Sequence, residues 1–255
     1  MISMDGKTEY ETASWLERSE LLLGKESLER LRNTTVAVIG LGGVGAFAAE
    51  MVARAGTGRM VILDSDVINE SNKNRQLLAL ESTMGRSKAT IMRERLLDIN
   101  PHLEIVSIDR YLTEDNVNDL LGGQKIDFLI DAIDTLSPKI ALIKFAVNAK
   151  IPLVSSMGAG AKTDATKIKI KDISKSFNCP LAYVLRKKLR KEGISKGFKV
   201  VFSEELPNSE AIIPVEEQNK KSRVGTISYL PAVFGCIAAQ AAITAILELD
   251  THEQP

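Results

Sequence analysis

A glycine-rich segment, residues 40–45 (GLGGVG), is the first part of this sequence that could do chemistry. It joins an apolar run to an alanine-rich run, so it predicts a turn between a strand and a helix. Its four glycines, which would let a phosphate approach bare backbone N–H groups, are Gly40, Gly42, Gly43 and Gly45. Asp64 ends the next apolar run, where a carboxylate can accept hydrogen bonds from ribose hydroxyls. Together they predict a nucleotide site; the alternative is a glycine turn that serves packing alone.

The side chains that follow Asp64 suit a triphosphate. Asn72 and Arg75 lie shortly downstream, in DSDVINESNKNRQ, and Lys88 begins a predicted helix. Asp134 lies just beyond a later apolar run, at the carboxyl end of a predicted strand. Arg75 and Lys88 supply cations for phosphates, and a carboxylate in this position can hold Mg²⁺. A hydride-transfer enzyme does not need this set, so ATP is favoured over NAD or FAD.

The composition excludes several classes of function. The chain has 255 residues, of which 44% are apolar, enough for one large α/β domain. Lys and Arg together equal Asp and Glu at 33 each, so attraction to nucleic acid would require a local basic surface. Two cysteines (Cys179, Cys236) and two histidines (His102, His252) are too few for a disulfide framework, a four-cysteine zinc site or a histidine-rich metal site.

The elements that must position these residues alternate between strand and helix. Strands are predicted at 36–40, 60–64, 104–109, 126–131 and 151–156, and helices at 10–33, 44–55, 85–100 and 137–149. Such alternation predicts a Rossmann-like, doubly wound, mostly parallel α/β sheet. The N-terminal residues have no apolar core of the kind found in signal peptides.

After Met157 the pattern changes. Residues 166–173 alternate Lys or Thr with Ile, which predicts an antiparallel strand; a basic helix at 181–192 and a strand at 199–202 follow. Residues 203–223 are polar and predict a mobile loop. Residues 224–247 lack charge, but their polar and alanine residues favour a core helix over an integral membrane span, with Cys236 in the core.

These motifs together resemble the adenylation core of the ubiquitin-activating-like (ThiF-type) superfamily. The resemblance rests on GLGGVG, Asp64, N-x-N-R-Q, G-x-x-K and D-A-x-D, and it covers about Trp15 to Ser156. It implies ATP contacts at the glycine loop, Asp64, Asn72, Arg75 and Lys88, and Mg²⁺ at Asp134. Arg18, in WLERSELLLG, resembles the arginine with which a homodimer partner completes the neighbouring ATP site; from sequence alone it would be a solvated helix charge.

The C-terminal part narrows the resemblance. The segment that begins at DISKSFNCPLAYVLRKKLRK resembles the tRNA threonylcarbamoyladenosine dehydratases, although Cys179 stands where their pattern has Asp. The two C-x-x-C zinc pairs usual in enzymes that activate sulfur carriers are absent from the sequence. The resemblance implies an ATP-binding core over 10–156 and, in the same globule, a tRNA-binding and dimerisation part over 157–250. Within the latter, residues 186–199 hold seven Lys or Arg, either a phosphate-binding patch or a solvated helix face.

The implied activity is an ATP-dependent cyclisation of N6-threonylcarbamoyladenosine in tRNA through an acyl-adenylate, in the cytoplasm. The alternatives are an adenylyltransferase for a ubiquitin-like sulfur carrier, an oxidoreductase, and a non-enzymatic tRNA- or protein-binding relic of the fold. The sequence leaves open a sulfur-transfer partner, a peripheral membrane contact, and whether Cys179 is a small packing residue or a sulfur acceptor.

Overall fold

A seven-stranded sheet organises the residues that the computed structural model of the protein describes, 12–217 and 220–248. Its strands are β1 (Thr35–Ile39), β2 (Arg59–Leu63), β3 (Glu104–Ile108), β4 (Phe128–Asp131), β5 (Leu153–Ser156), β6 (Ile168–Asp172) and β7 (Lys199–Ser203). Their order is β3-β2-β1-β4-β5-β7-β6. All neighbours are parallel except β6 and β7, which are antiparallel as residues 166–173 predicted.

Helices cover both faces of this sheet, which confirms the doubly wound α/β prediction. The helices are α1 (Glu17–Leu23), α2 (Lys25–Arg32), α3 (Gly45–Arg54), α4 (Lys88–Ile99), α5 (Val117–Leu121), α6 (Leu136–Asn148), α7 (Pro180–Lys191) and α8 (Tyr229–Leu247). The buried cluster on one face includes α3, α4 and α8, and the cluster on the other includes α5, α6 and α7. Central strands are therefore buried on both sides, as their continuous apolar runs require.

The N-terminal helical region departs from the prediction of a single helix. Gly24, with φ of +81°, separates α1 from α2, because this left-handed conformation suits glycine and ends the first helix. Residues 10 and 11 of the predicted helix lie outside the described residues. Leu16 packs against Gly56, which follows the end of α3. This contact places α1 near the amino edge of the sheet, the edge where the parallel strands begin.

The uncharged C-terminal stretch forms α8, a core helix that packs on α3. A Cβ at Gly235 would lie 2.3 Å from the carbonyl oxygen of Val44, so the two helices meet backbone to backbone. Among the described residues α8 is the one helix long and apolar enough to cross a membrane, by length and composition only. Cys236, predicted to be in the core, is exposed. The helix is apolar on every face, so its sequence does not reveal which face is buried.

Residues 203–223 are also more ordered than predicted. They hold a 3₁₀ turn at Ser209–Ala211 and then a hairpin of β8 (Ile212–Glu217) and β9 (Lys220–Val224), with residues 218 and 219 outside the description. The prediction of a loop was wrong, because the polar residues and the two prolines, Pro207 and Pro214, do not prevent a hairpin here. A two-stranded ribbon can stay solvated and still satisfy its backbone hydrogen bonds between its own strands.

Candidate functional site

The glycine loop lies at the carboxyl edge of the sheet, between β1 and β4. The chain crosses here from one half of the sheet to the other, and open α/β sheets bind ligands at this switch point. Gly40 has φ of +90°, and a Cβ there would lie 2.9 Å from the carbonyl oxygen of Ala132. A Cβ at Gly45 would lie 1.7 Å from the carbonyl oxygen of Gly40. Both positions exclude any other residue, so the loop stays tight and α3 begins directly behind it.

The start of α8 forms part of the surroundings of this loop, which the sequence did not predict. A Cβ at Gly43 would lie 3.0 Å from Cβ of Pro231 and 3.3 Å from the carbonyl oxygen of Arg75. The Asn74 amide donates to the carbonyl oxygen of Thr226 at 3.0 Å. The C-terminal part of the chain thus packs directly against the predicted phosphate-binding loop.

Asp64 ties the end of β2 to the glycine loop. Its Oδ2 accepts a hydrogen bond from the backbone N–H of Leu41 at 2.6 Å, and its Oδ1 accepts one from Asp66 at 2.8 Å. Burial raises the pKa of the Asp64 carboxyl, while the nearby charge of Lys88 and the two backbone hydrogen bonds act to lower it. Each carboxylate oxygen retains a further lone pair, so Asp64 can both hold the loop and accept a ribose hydroxyl.

Asn72, Arg75 and Gln76 follow the same edge. Asn72 is buried, and its Oδ1 accepts a hydrogen bond from the backbone N–H of Asn69, so it shapes the turn that carries Arg75. The Arg75 guanidinium donates to the carbonyl oxygen of Ser71 at 3.0 Å and to Oδ1 of Asn74 at 2.8 Å. Gln76, which the sequence did not single out, lies beside Gly42, and its buried Oε1 has no partner among the described residues. Buried oxygens normally accept a hydrogen bond, so a ligand bound at the loop could donate one to Gln76.

Lys88 begins α4, as predicted, but its charge is already paired. Its Nζ lies 2.7 Å from Oδ2 of Asp66, and only 5% of the Lys88 side chain is exposed. Asp66, at 67% exposure, faces solvent. The pair holds the lysine rigid beside Asp64, and a phosphate at this place would share its cation with Asp66. Sequence spacing indicated the cation but gave no sign of its carboxylate partner.

Asp134 is exposed on the loop after β4, and a fully buried ion pair holds that loop from below. Lys139 and Asp131, both 0% exposed, lie 2.8 Å apart. Lys139 also donates to the carbonyl oxygen of Ile133 at 2.9 Å, and Oδ1 of Asp131 accepts from the N–H of Ile133 at 3.1 Å. Ser155 on β5 donates to the other Asp131 oxygen at 2.6 Å. Ile133, which precedes Asp134, is therefore hydrogen-bonded at both its backbone N–H and its carbonyl oxygen.

The described residues contain no cluster of three or more His, Cys, Asp or Glu side chains that could enclose a metal ion. Mg²⁺ is commonly held by one or two carboxylates together with substrate phosphates and water. One exposed carboxylate beside the predicted phosphate-binding loop would fit that mode of binding, and Asp134 lies where it could supply one.

Arg18 lies apart from the other predicted site residues within one chain. It is exposed on α1, two residues after Leu16, which packs against Gly56 just beyond the end of α3. The glycine loop lies at the other end of that helix, at its start. A ten-residue helix is about 15 Å long, so Arg18 and the loop lie near opposite edges of the sheet. The structure brings together the other predicted residues and leaves this one outside.

Cys179 is buried immediately before α7, which suits a small packing residue better than a reactive one. Beside it the buried Lys162 donates to the carbonyl oxygens of Asn178 at 3.1 Å and Ser203 at 2.9 Å. Burial lowers the pKa of Lys162, against the opposing influence of Cys179 and Glu205. Lys162 thus fastens the start of α7 to the end of β7.

Comparison with known proteins agrees with this geometry. Residues 16–255 match the model of the ThiF family. The chain is 50% identical over 190 residues to a tRNA threonylcarbamoyladenosine dehydratase of Bacillus subtilis (strain 168), covering 74% of each chain. It is 35% identical over 251 residues to the enzyme of that name from Escherichia coli (strain K12), covering 90% of this chain and 93% of that one. The crystal structure of the E. coli tRNA N6-threonylcarbamoyladenosine dehydratase in complex with ATP superimposes with a TM-score of 0.84, at 33% identity, over 93% of this chain and 96% of that one.

Proposed function

The chain belongs to the ThiF family, and we propose that it is an ATP-dependent tRNA threonylcarbamoyladenosine dehydratase. The observation that carries this proposal is the convergence of the glycine loop, Arg75 and Asp134 at one switch point, in a chain similar along most of its length to enzymes of that name. Residues 10–156 supply ATP binding, and residues 157–250 supply tRNA binding and part of the dimer contacts, to which α1 adds.

The reaction is a loss of water driven by ATP. The carboxylate of the threonyl group on the modified adenosine attacks the α-phosphate of ATP, and pyrophosphate leaves. The resulting acyl-adenylate is a mixed anhydride. The carbamoyl group of the same side chain then attacks the activated carbonyl carbon, a ring closes, and AMP leaves. This closure is intramolecular and gains from proximity, so no protein nucleophile is required.

The residues of the site have separate tasks in that reaction. Backbone N–H groups of the glycine loop and the cations of Arg75 and Lys88 stabilise the charge that develops on the phosphates. Asp64 accepts from the ribose hydroxyls, and Asn72 holds the turn that carries Arg75. Mg²⁺ bound by Asp134 and the phosphates would neutralise part of the triphosphate charge.

The functional unit in this proposal is a homodimer in which Arg18 of each chain completes the ATP site of the other. Arg18 lies far from its own glycine loop, and α1 exposes large apolar side chains beside it: Leu21 is 89% exposed, Leu22 is 82% exposed and the neighbouring Trp15 is 42% exposed. Exposed leucines on one short helix indicate a protein-protein contact.

Mixing two inactive variants tests the dimer. Each ATP site uses Lys88 of its own chain and Arg18 of the other chain. In a mixed dimer of Arg18→Ala and Lys88→Ala chains, one site therefore has both residues and the other has neither. We expect activity to recover partly when the two proteins are exchanged, and not when either is incubated alone. Absence of recovery after confirmed subunit exchange would show that Arg18 does not act across a dimer.

Nucleoside mass spectrometry tests the function itself. tRNA carrying threonylcarbamoyladenosine is incubated with the protein, ATP and Mg²⁺, then digested. We expect a product lighter than the substrate nucleoside by one water and an equal amount of AMP. NAD in place of ATP serves as the control for the oxidoreductase alternative. Unchanged nucleoside together with adenylation of an added ubiquitin-like carrier would replace this proposal with the adenylyltransferase alternative.

A further inference from the structure

Two exposed aromatic side chains lie at the start of α7. Phe177 is 44% exposed and Tyr183 is 62% exposed, and both line an open cavity of about 340 Å³. Pro180 and Pro207 line the same cavity, and Arg186 forms part of its wall. Neither aromatic residue has a task in the adenylation chemistry described above. Large apolar surfaces left in water usually mark a contact with another molecule.

Phe177 and Arg186 are held in place in the wall of the cavity. The Phe177 ring packs edge-on against the fully buried Phe202 of β7, with ring centroids 5.5 Å apart. The Arg186 guanidinium donates to the carbonyl oxygen of Ser176 at 2.8 Å and to its hydroxyl at 2.5 Å, so its positive charge is fixed at the wall. An aromatic face and a planar cation held in place are features of sites that stack nucleobases.

The cavity lies on the same edge of the sheet as the ATP site. The Asn178 amide donates to the carbonyl oxygen of Glu204 at 2.7 Å, just beyond the carboxyl end of β7. In the sheet β7 is three strands from β1, which is about 15 Å at the usual strand spacing. The carboxylate of the modified adenosine has to reach the ATP at the glycine loop, so a neighbouring unpaired base of the same RNA loop could lie in this cavity.

The charge around the cavity selects a polyanion over a peptide. The exposed face of α7 continues from Tyr183 through four exposed cations and no acid before Glu192: Lys187, Lys188, Arg190 and Lys191. The helix is about 18 Å long, so these cations extend from the cavity toward the amino edge of the sheet. Aromatic side chains next to a basic track are the arrangement that binds single-stranded nucleic acid.

We propose that Phe177 and Tyr183 form a stacking site for an unpaired base of the tRNA loop that carries the modified adenosine, while the basic face of α7 follows the adjoining phosphates. The proposal rests on the proposed function, because it takes tRNA as the nucleic acid that reaches this edge. It assigns base recognition to the start of α7 and leaves the phosphate contacts to the lysines beyond it.

Binding measurements with two RNA probes test the site. One probe is an anticodon stem-loop with threonylcarbamoyladenosine in its loop, and the other is a fully paired RNA with the same number of phosphates. Tyr183→Ala is expected to weaken stem-loop binding about tenfold, within the range of about 5-fold to about 160-fold typical of removing one aromatic ring from beneath a base. Binding of the paired RNA and the slope of affinity against salt should not change, since the substitution removes no positive charge.

Three further variants make the result specific. Tyr183→Phe keeps the ring and should bind like the wild type. Tyr111→Ala removes another exposed tyrosine (45% exposed) at the β3 end of the sheet and should also leave binding unchanged. Phe177→Leu should weaken stem-loop binding in the same direction as Tyr183→Ala, with thermal melting used to confirm that the packing against Phe202 was not needed for folding.

The outcomes separate this proposal from the proposed function. Normal stem-loop binding by Tyr183→Ala, or equal weakening with both RNAs, overturns the stacking site, and so does a wild-type protein that binds neither probe. If the wild type forms the dehydrated nucleoside but Tyr183→Ala binds normally, the stacking site fails alone. If the wild type forms no such product yet Tyr183→Ala selectively loses the stem-loop, the proposed reaction fails and the stacking site stands.

Discussion

Two regions on one sheet hold their charges in opposite ways. Around β1, β2 and β4, lysines are buried against carboxylates: Lys88 with Asp66, and Lys139 with Asp131. Along α7 the lysines are exposed and follow one another with few acids. A nucleotide is small and must be held in one geometry, so its site benefits from groups fixed in advance. A nucleic-acid backbone is long, and its binding depends on the number of cations more than on the position of each.

The largest effect is expected from breaking the buried ion pair between Lys139 and Asp131. Lys139→Met leaves Asp131 charged and fully buried without its partner, so we expect the free energy of unfolding to fall by about 3–5 kcal/mol. Chemical denaturation measures this decrease. The matched control is Lys144→Met on the same helix, where the lysine pairs with two solvent-exposed acids, Glu114 and Glu192, and stability should change little. Equal effects of the two substitutions would show that burial of the pair does not matter.

The next effect separates the chemistry of the buried region from its stability. Asp134 is exposed, so Asp134→Ala should leave thermal unfolding close to that of the wild type. Turnover should fall by about 10²–10³-fold, because a charge-stabilising group beside the phosphates is removed. AMP release under saturating ATP gives the rate, and Asp115→Ala, at another exposed loop acid, is the control. Turnover near that of the wild type would remove Asp134 from the site.

A charge reversal on α7 tests the exposed side. Replacing Lys187, Lys188 and Lys191 with Glu should weaken tRNA binding and lower the slope of log affinity against log salt by roughly one unit for each phosphate that is no longer neutralised. ATP affinity should stay the same, because α7 leads into β7, which is three strands from β1, the strand that the glycine loop follows. Unchanged tRNA affinity and slope would mean that these lysines are only a solvated helix face.

A second triple variant controls for net charge. Lys25, Arg93 and Lys125 are exposed on other parts of the molecule, and replacing them with Glu makes the same change in total charge. This variant should bind tRNA more tightly than the α7 triple variant. If the two lose affinity equally, the effect comes from the charge of the whole protein and not from the α7 surface.

The smallest expected effect is the pH dependence of stability that comes from Glu50, a buried carboxylate of α3. Burial acts to raise the pKa of Glu50 on α3, but hydrogen bonds from Arg95 and Arg54 outweigh it and lower that pKa below its usual value near 4.5. A carboxyl whose pKa is lower in the folded protein stabilises the fold at pH values above its pKa in the unfolded chain. This stabilisation is lost as the pH falls through its pKa in the folded protein. Glu50→Gln should therefore be less stable than the wild type at neutral pH, with the difference shrinking below about pH 4.5. A difference that is constant with pH would rule out the ion pairs as its source.

Local sequence was enough to predict the glycine-rich turn and most of the sheet. The glycine spacing predicted the turn correctly, because only glycine fits at Gly40 and Gly45. Apolar runs located the first five strands, β1 to β5, to within a few residues. Of these, β1, β4 and β5 are buried along their whole length, and such strands show no polar alternation. The short helix α5 was missed, since five residues are too few for helical periodicity to show.

Other features depend on contacts between residues far apart in the chain. Lys139 appears in the sequence as one lysine in a helix, and only the packing of α6 against β4 places it against Asp131, which also accepts a hydrogen bond from Ser155 on β5. Cys236 is exposed because α3 covers a different face of α8. The placement of Phe177 beside Tyr183, on the edge that carries the glycine loop, follows from the antiparallel return of β6 and the direction of α7. Residue spacing records periodicity and turns along the chain, whereas burial, ion-pair partners and shared edges arise only when separate segments pack together.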